Sequence, residues 1–319
     1  MLRTVDDLIQ EVRDQVDEPN TRSKSDQAVL RVLNRGQALM NQVLAAKYPE
    51  PLLTTSTLDL SAAGENTIPE DAYEDRAEYV EILVPGSPTP TKQKKYFESS
   101  RLYASTTSVP WSWHIEGRKI KWQQLPSGAY DAKLWYPRRL EPLVKLQGRV
   151  TAVGASSITV DPETLGSDLS ASSDQLGSYI NVVNWRTGEI RGTFQIASKS
   201  ASGVLTLRAS PLRSQVLGRT VSGSADLAAS ATAADDYICL VHGVCVPYFQ
   251  DTLGEYLLQY AVEAVSRSLG SGDARLEQQL LRDIEDRVAG TWGGREATSR
   301  VTNRSSAWPT GRRVFPTQP

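Results

Sequence analysis

The apolar positions of the chain change period three times. Val5, Leu8, Ile9, Val12 and Val16 follow the i, i+3, i+4, i+7 spacing of a helix with one buried stripe. Thr4 stands where an N-cap belongs, and Asp17-Glu18-Pro19-Asn20 ends the run. A longer helix follows, capped by Ser23 or Ser25 and reaching about Tyr48, with Val29, Leu30, Leu33, Met40, Val43 and Leu44 inward. Pro49 and Pro51 stop it. Gly36, in its middle, costs up to ~1 kcal/mol relative to alanine; it marks either a close approach of another helix or nothing.

The period then shortens to two. Strand signals run over Leu52–Leu60, Glu78–Val84, Lys95–Tyr103, Ser112–Ile115, Lys119–Leu125 and Ala129–Tyr136. In the last of these Tyr130, Ala132, Leu134 and Tyr136 face one way, and Asp131, Lys133 and Trp135 the other. Pro126-Ser127-Gly128 reads as a hairpin turn joining it to its predecessor. A second set follows at Gly148–Val153, Ser156–Asp161, Tyr179–Trp185, Glu189–Ala197 and Gly203–Ala209. Five short strands so spaced suggest a small barrel or sandwich of SH3-like or OB-like size. Ser222 to Ala234, rich in serine and alanine, reads as a linker.

Helical spacing returns after a strand at Tyr237–Val246. Pro247 opens a helix through about Leu269, with Leu253, Tyr256, Leu257, Tyr260, Ala261, Ala264 and Val265 inward. Gly270-Ser271-Gly272 breaks it, Asp273 caps a last helix, and Leu276, Leu280, Ile284 and Val288 recur in fourfold steps to Gly290. Thr291 to Pro319 shows no periodicity and is expected to be disordered alone or ordered only on a partner.

A single amphipathic helix cannot bury its stripe alone, so the terminal pairs are expected to pack on each other. The fold class is therefore α+β. A helical pair occupies residues 1–51, a central antiparallel β domain 52–145 and an inserted small β-barrel 146–235. A C-terminal helical pair packing on 1–51 occupies 236–290, and an extended arm 291–319. Such a body, with an insertion and a trailing arm, suits an assembly protein better than an enzyme.

Charge sharpens this division. The whole chain carries −2, but residues 1–85 hold 8 basic and 16 acidic side chains, and residues 86–150 hold 12 and 4. Residues 151–235 net −1, 236–290 net −5 and 291–319 net +4. The helical parts are acidic, the first β segment and the tail basic. Charge sorted in this way favours contacts between unlike surfaces of neighbouring copies or partners, although each patch taken alone also reads as a solvated face. No run of eighteen apolar residues occurs, so no transmembrane helix is expected, and the N-terminal residues lack the apolar core of a signal peptide. Cys239 and Cys245, six apart, would lie about 20 Å from each other in extended chain, beyond disulfide reach unless the chain turns near Gly243. A reducing compartment of synthesis follows simply.

Catalytic chemistry is poorly represented. His114 and His242 stand in no metal-ligand spacing and read as structural; no phosphate-cradling glycine loop or nucleophile elbow occurs. No cofactor or metal is expected. Trp111, Trp113, Trp122, Tyr130, Trp135 and Tyr136 could form a surface that stacks on sugars, but they read better as the aromatic core of a β domain. Lys92, Lys94, Lys95, Lys119, Lys121, Arg138 and Arg139 also permit contact with nucleic acid.

Three stretches carry a family resemblance. Asp7-Leu8-Ile9-Gln10-Glu11-Val12-Arg13, Leu30-Arg31-Val32-Leu33-Asn34-Arg35-Gly36-Gln37 and Trp122-Gln123-Gln124-Leu125-Pro126-Ser127-Gly128-Ala129-Tyr130 resemble head-to-tail adaptor (connector) proteins of tailed bacteriophages, including the tail tubular A type. The resemblance covers about 1–145 and 236–290 and leaves 146–235 as an insertion. It implies a virion protein of the neck, made in the host cytoplasm, forming a ring of about twelve copies between the portal and the tail nozzle or tubular protein. DNA would pass through the ring without sequence-specific binding. The tail, through Trp308, Arg312, Arg313 and Phe315, would dock on the portal, and the insertion would face nozzle or fibre proteins. The rival readings are a virion carbohydrate-binding or fibre-attachment protein using Trp111, Trp113 and Trp135, and a single-stranded nucleic-acid binder.

Overall fold

In the computed structural model the described residues are 3–16, 24–47, 49–60, 66–83, 89–95, 107–108, 112–122, 125–126, 130–171, 175–217, 220–227, 229–249 and 252–269, with Arg275, Gln279, Arg282 and Asp286. Their architecture is mixed α+β.

Helix α1 spans Val5–Gln15 and begins at a capping box: the Asp7 amide donates to Thr4 Oγ1 at 3.2 Å, and the Thr4 amide donates back to Asp7 Oδ2 at 2.8 Å. Val5, Leu8, Ile9 and Val12 are all buried. Helix α2 spans Asp26–Lys47 and α3 spans Thr252–Ser268. The three pack together around one apolar core that also takes in Leu52, Leu143 and Val246. Gly36 is where α2 meets α3. A Cβ placed there would lie 2.6 Å from Tyr260 Cδ1 and 2.9 Å from Leu257 Cδ1, so the glycine sets how closely the helices approach. Of the expected packing between the terminal helical pairs, the contact of α1 and α2 with α3 is thus present.

Helix α3 starts five residues later than Pro247 suggested. Pro247 is instead buried in a segment that places Tyr248 beneath Arg138 and sends the Tyr248 hydroxyl to Pro51 O at 3.1 Å. A Cβ on Gly254 would sit 2.7 Å from Phe249 O, so the chain folds back on the first helical turn. Leu258 joins the buried face, while Ala264 is only half-buried. Of the last expected helix, Arg275, Gln279, Arg282 and Asp286 are helical and exposed; Leu276, Leu280, Ile284 and Val288 lie outside the described residues.

The first β unit comprises β1 (Leu53–Asp59), β2 (Asn66–Thr67), β3 (Tyr79–Leu83), β4 (Thr91–Lys95), β5 (Thr107–Ser108), β6 (Ser112–Glu116), β7 (Lys119–Trp122), β8 (Leu125–Pro126) and β9 (Asp131–Pro137). Seven of them form one sheet in the order β1-β9-β3-β4-β6-β7-β2, and β5 pairs with β8 alone. The sheet is antiparallel except where β4 meets β6. Ala132, Leu134 and Tyr136 of β9 face its core with Val80, Ile82, Leu58 and Trp113, as the alternation predicted. The expected hairpin between β7 and β9 is not formed. β7 pairs with β6 across Gly117 (φ +61°), and β9 inserts between β1 and β3. The long-range fit of Ala132 and Leu134 between two strands outweighs the local turn signal, whose residues 127–129 lie outside the described set. A strand runs over Thr91–Lys95; the one expected over Lys95–Tyr103 lies, beyond Lys95, outside the described residues.

The second unit contains β10 (Leu146–Val153), β11 (Ser157–Val160), β12 (Tyr179–Val183), β13 (Ile190–Lys199), β14 (Val204–Leu207), the pair β15 (Leu212–Arg213) and β16 (Thr220–Val221), and β17 (Tyr237–Leu240). It is a closed barrel of six strands, β10-β11-β14-β13-β12-β17. The sixth strand comes from a segment expected to belong with the C-terminal helices: Tyr237–Leu240 pairs with β12 on one side and β10 on the other. Nor is Ser222–Ala234 a plain linker. Ser224–Asp226 form a helical turn, and Leu227 is buried in the barrel core. Val183, Tyr237 and Cys239 of the barrel pack into the helical core, so barrel and body share apolar surface.

Candidate assembly interface

Three groups of side chains stand out where these units meet or where the sheet faces outward. The first is an ionic clasp. Asp26 opens α2; its Oδ1 accepts from Arg13 Nη2 at 2.8 Å, and its Oδ2 from Lys145 Nζ at 2.7 Å. Arg13 is 4% exposed and also donates to Lys24 O at 2.7 Å. Asp6 accepts the Leu146 amide at 2.8 Å. One clasp therefore ties α1, α2 and the first barrel strand together. The Lys145 ammonium holds the Asp26 carboxyl below its usual range, and Asp26 in turn raises Lys145. Burial pushes Asp6 the other way, upward.

The second group lines the cleft between α2, the sheet and the barrel. The Tyr136 hydroxyl donates to Asp71 at 3.0 Å, and the Arg139 amide donates to Asp71 O at 2.6 Å. Burial, reinforced by that carboxylate, holds the Tyr136 phenol well above the ordinary tyrosine range. The Arg138 guanidinium lies 4.0 Å over the Tyr248 ring. Two hollows of about 340 and 470 Å³ adjoin here, sharing Gln37, Arg139 and Leu140. Asn34 and Gln37 of α2 bind the strand-to-barrel connection, through Leu143 and Glu141 O respectively. The cleft is well fastened, and nothing in it resembles a set of reacting groups.

The third group is the outer face of the sheet. Tyr79 and Trp135 stack with ring centroids 5.5 Å apart, Lys92 caps the Tyr79 ring at 4.1 Å, and Trp135 Nε1 donates to Glu81 at 2.9 Å. Burial raises the Tyr79 phenol, assisted by Glu81 and Glu78.

The aromatic residues singled out in the sequence divide accordingly. Trp113 is fully buried and Tyr136 nearly so; Trp122 and Tyr130 are half-buried against the same core. Trp135 faces outward, away from Trp113, and Trp111 lies outside the described residues. No platform of Trp113 and Trp135 exists, because the two stand on opposite faces of one sheet. The basic residues are scattered as well. Lys92 is on the outer face, Lys119 and Lys121 on the β6–β7 hairpin, and Arg138 and Arg139 at the cleft. Lys94 and Lys95 have no described side chains, and Trp308, Arg312, Arg313 and Phe315 lie outside the described residues. His114 is half-buried on β6 opposite Lys121, and His242 is exposed in a turn.

Cys239 and Cys245 are both free and buried. The turn at Gly243 that disulfide reach demanded is present: Cys239 Sγ donates to Gly243 O at 3.3 Å, and the two thiols interact. Burial pushes the Cys245 thiol well up. Among the described residues no group of three or more histidine, cysteine or carboxylate side chains is placed to hold a metal ion, and no helix is long and apolar enough to cross a membrane.

These units are fastened to one another by ionic and amide contacts and present charged, aromatic surfaces. Residues 3–148 match the family of the SU10 adaptor protein, a structural, head-to-tail adaptor type of phage family rather than an enzyme class. The match takes in α1, α2 and the whole sheet and ends inside β10, just short of half the chain. No curated protein matches the chain.

Proposed function

We propose that this chain is a head-to-tail adaptor of a tailed bacteriophage. Copies of it form a ring between the portal and the tail nozzle or tubular protein and prolong the DNA channel. One observation carries the reading: the adaptor match spans α1, α2 and the sheet, and those helices are completed by α3 from the far end of the chain. The helical body packs laterally between copies. DNA slides past acidic side chains without sequence readout, since like charge repels the phosphate backbone. The basic arm of residues 291–319 docks on the portal through Trp308, Arg312, Arg313 and Phe315, because aromatic and arginine side chains are the usual anchors of an interface. The barrel faces nozzle or fibre proteins.

The test is the mass of the chain alone and after mixing with a portal from the same virion, comparing full length with a chain ending at Gly290. Joining in many copies by the full-length chain alone supports both the adaptor and the arm. A chain that stays monomeric with the portal refutes the adaptor reading.

A further inference from the structure

Helix α2 repeats a side-chain amide along one face. Asn34, Gln37 and Asn41 stand at i, i+3 and i+7, so they share one stripe of the helix. The first two hold main chain. Asn34 Nδ2 donates to Leu143 O at 2.9 Å, and the Leu143 amide donates back to Asn34 Oδ1 at 2.7 Å. Gln37 Nε2 donates to Glu141 O at 2.7 Å. Successive amides therefore meet alternate residues of the connection from β9 to the barrel, which is bridged to Val244 at Leu143.

The third amide is of the same kind but is not used. Asn41 is 4% exposed, and its Oδ1 has no hydrogen-bond partner. An amide so enclosed is costly to leave unpaired. The chain's own backbone turns off before reaching it: the Arg139 amide donates to Asp71 O at 2.6 Å, toward the sheet. Asn41 instead lines the hollow of about 470 Å³, together with Ala38, Gln42, Tyr73 and Arg139. Arg139 is exposed, and it is the one charged residue of that lining. The volume lies within the roughly 300–1,000 Å³ of ordinary ligand pockets.

We propose that this hollow receives an extended, acidic segment of a partner protein. Asn41 takes the main-chain N–H and C=O of one residue, as Asn34 does for Leu143, and Arg139 takes the carboxylate of a neighbouring aspartate or glutamate. The Asn41 amide comes to bear by rotating about its terminal torsion, which is broad. The spacing fits: Gln37 to Asn41 rises about 6 Å along the helix, close to the roughly 6.6 Å that two residues of a strand span. The segment is extended because a helix has already paired its own N–H and C=O groups, whereas strand-like chain offers both. It is acidic because a planar guanidinium matches a carboxylate with two parallel hydrogen bonds. The inference stands on α2 and Arg139 and does not need the adaptor reading.

The experiment uses the full-length chain carrying p-benzoylphenylalanine in place of Gln42, which is exposed and lines the hollow. The probes are capped, proline-free heptapeptides of mixed sequence at millimolar concentration, in three pools with glutamate, glutamine or lysine fixed at the centre. On irradiation the ketone takes a hydrogen from a peptide C–H and the two radicals join, so intact mass counts the adducts. The glutamate pool should give at least about tenfold more adduct than the lysine pool. Asn41→Leu should lower the adduct about tenfold while the thermal midpoint holds or rises, because the amide oxygen it removes makes no bond. Arg139→Gln should make the glutamate and glutamine pools equal, and peptides N-methylated at alternate residues should give little adduct. Adduct indifferent to Asn41→Leu overturns the main-chain contact, and a lysine pool as good as glutamate overturns the acidic segment. Crosslinking of the chain to itself without peptide gives the face to a second copy and overturns the partner. Absence of adduct from every pool overturns the site. Portal binding is read separately by mass, so losing one reading leaves the other standing.

Discussion

Replacing Asp26 by asparagine probes whether the clasp, rather than apolar packing alone, holds the barrel to the helical body. The substitution leaves Arg13, 4% exposed, without its carboxylate, and Lys145 without its nearest partner. Breaking a fully buried pair costs about 3–5 kcal/mol. Asp26 is 30% exposed and Lys145 40%, so solvent returns part of that, and a loss of about 2 kcal/mol is expected. Urea unfolding of the whole chain, read as the midpoint at unchanged slope, measures it. Arg13→Met in the same chain removes the stranded charge, so the double variant should be no less stable than Asp26→Asn alone. The pH response has a defined sign. The Asp26 carboxyl is lowered in the fold, so its contribution is complete above the ordinary aspartate range near 3.9 and is lost as pH falls below it. Lys145 is raised, and its contribution disappears only on the far alkaline side. Asp6, raised by burial, works the opposite way: its protonation on acidification favours the fold and partly offsets the loss. Asp26→Asn should therefore flatten the acid limb. Additive losses from Arg13→Met and Asp26→Asn, or an unchanged acid limb, would refute the reasoning.

Other outcomes follow from the same packing. Gly36→Val should cost about 1–3 kcal/mol by overpacking against Tyr260 and Leu257, seen as a lower urea midpoint. Tyr136→Phe should cost about 1–2 kcal/mol, because Asp71 loses its hydroxyl donor. Cys239 and Cys245 should resist a disulfide reagent in the native chain and react on unfolding, since both are buried and the Cys245 thiol is raised. Deleting 148–232 should give aggregated protein rather than a smaller adaptor, as it leaves the buried strand Tyr237–Leu240 without β12 or most of β10; a soluble, cooperative product would contradict the shared core.

The helices were legible because their signals are local. The stripe from Val5 to Val12, the Thr4 cap and the small residue at Gly36 each depend on neighbours a few positions away, or on the mere lack of a side chain. Strand partners were not legible in the same way. Pro126-Ser127-Gly128 advertises a turn, yet β9 pairs with strands 48 to 84 residues upstream, and no nearby residue encodes that choice. Tyr237–Leu240 is buried at three of its four positions, so it carries no alternation to assign it to a barrel rather than to the helical core; in fact it serves both. Pro247 looked like a first helical residue because its ring fits one, but Tyr248 is taken up by Arg138 and Pro51 instead. The clasp escaped the sequence altogether. Asp6, Arg13, Asp26 and Lys145 are ordinary surface types, and only the fold brings them together.

The helical body draws on both ends of the chain, and this sets a schedule for its synthesis. Roughly 200 residues separate Lys47 from Thr252. At about 5–20 residues per second, α1 and α2 emerge some 10–40 s before the helix that covers Gly36 has been made. During that interval Leu33, Met40 and Leu44 have only part of their native cover, while the sheet has everything it needs once β9 is out. The newborn chain is therefore most vulnerable to self-association at its oldest segment, and coexpressed chaperone capacity should raise the yield of the full chain more than that of the sheet alone.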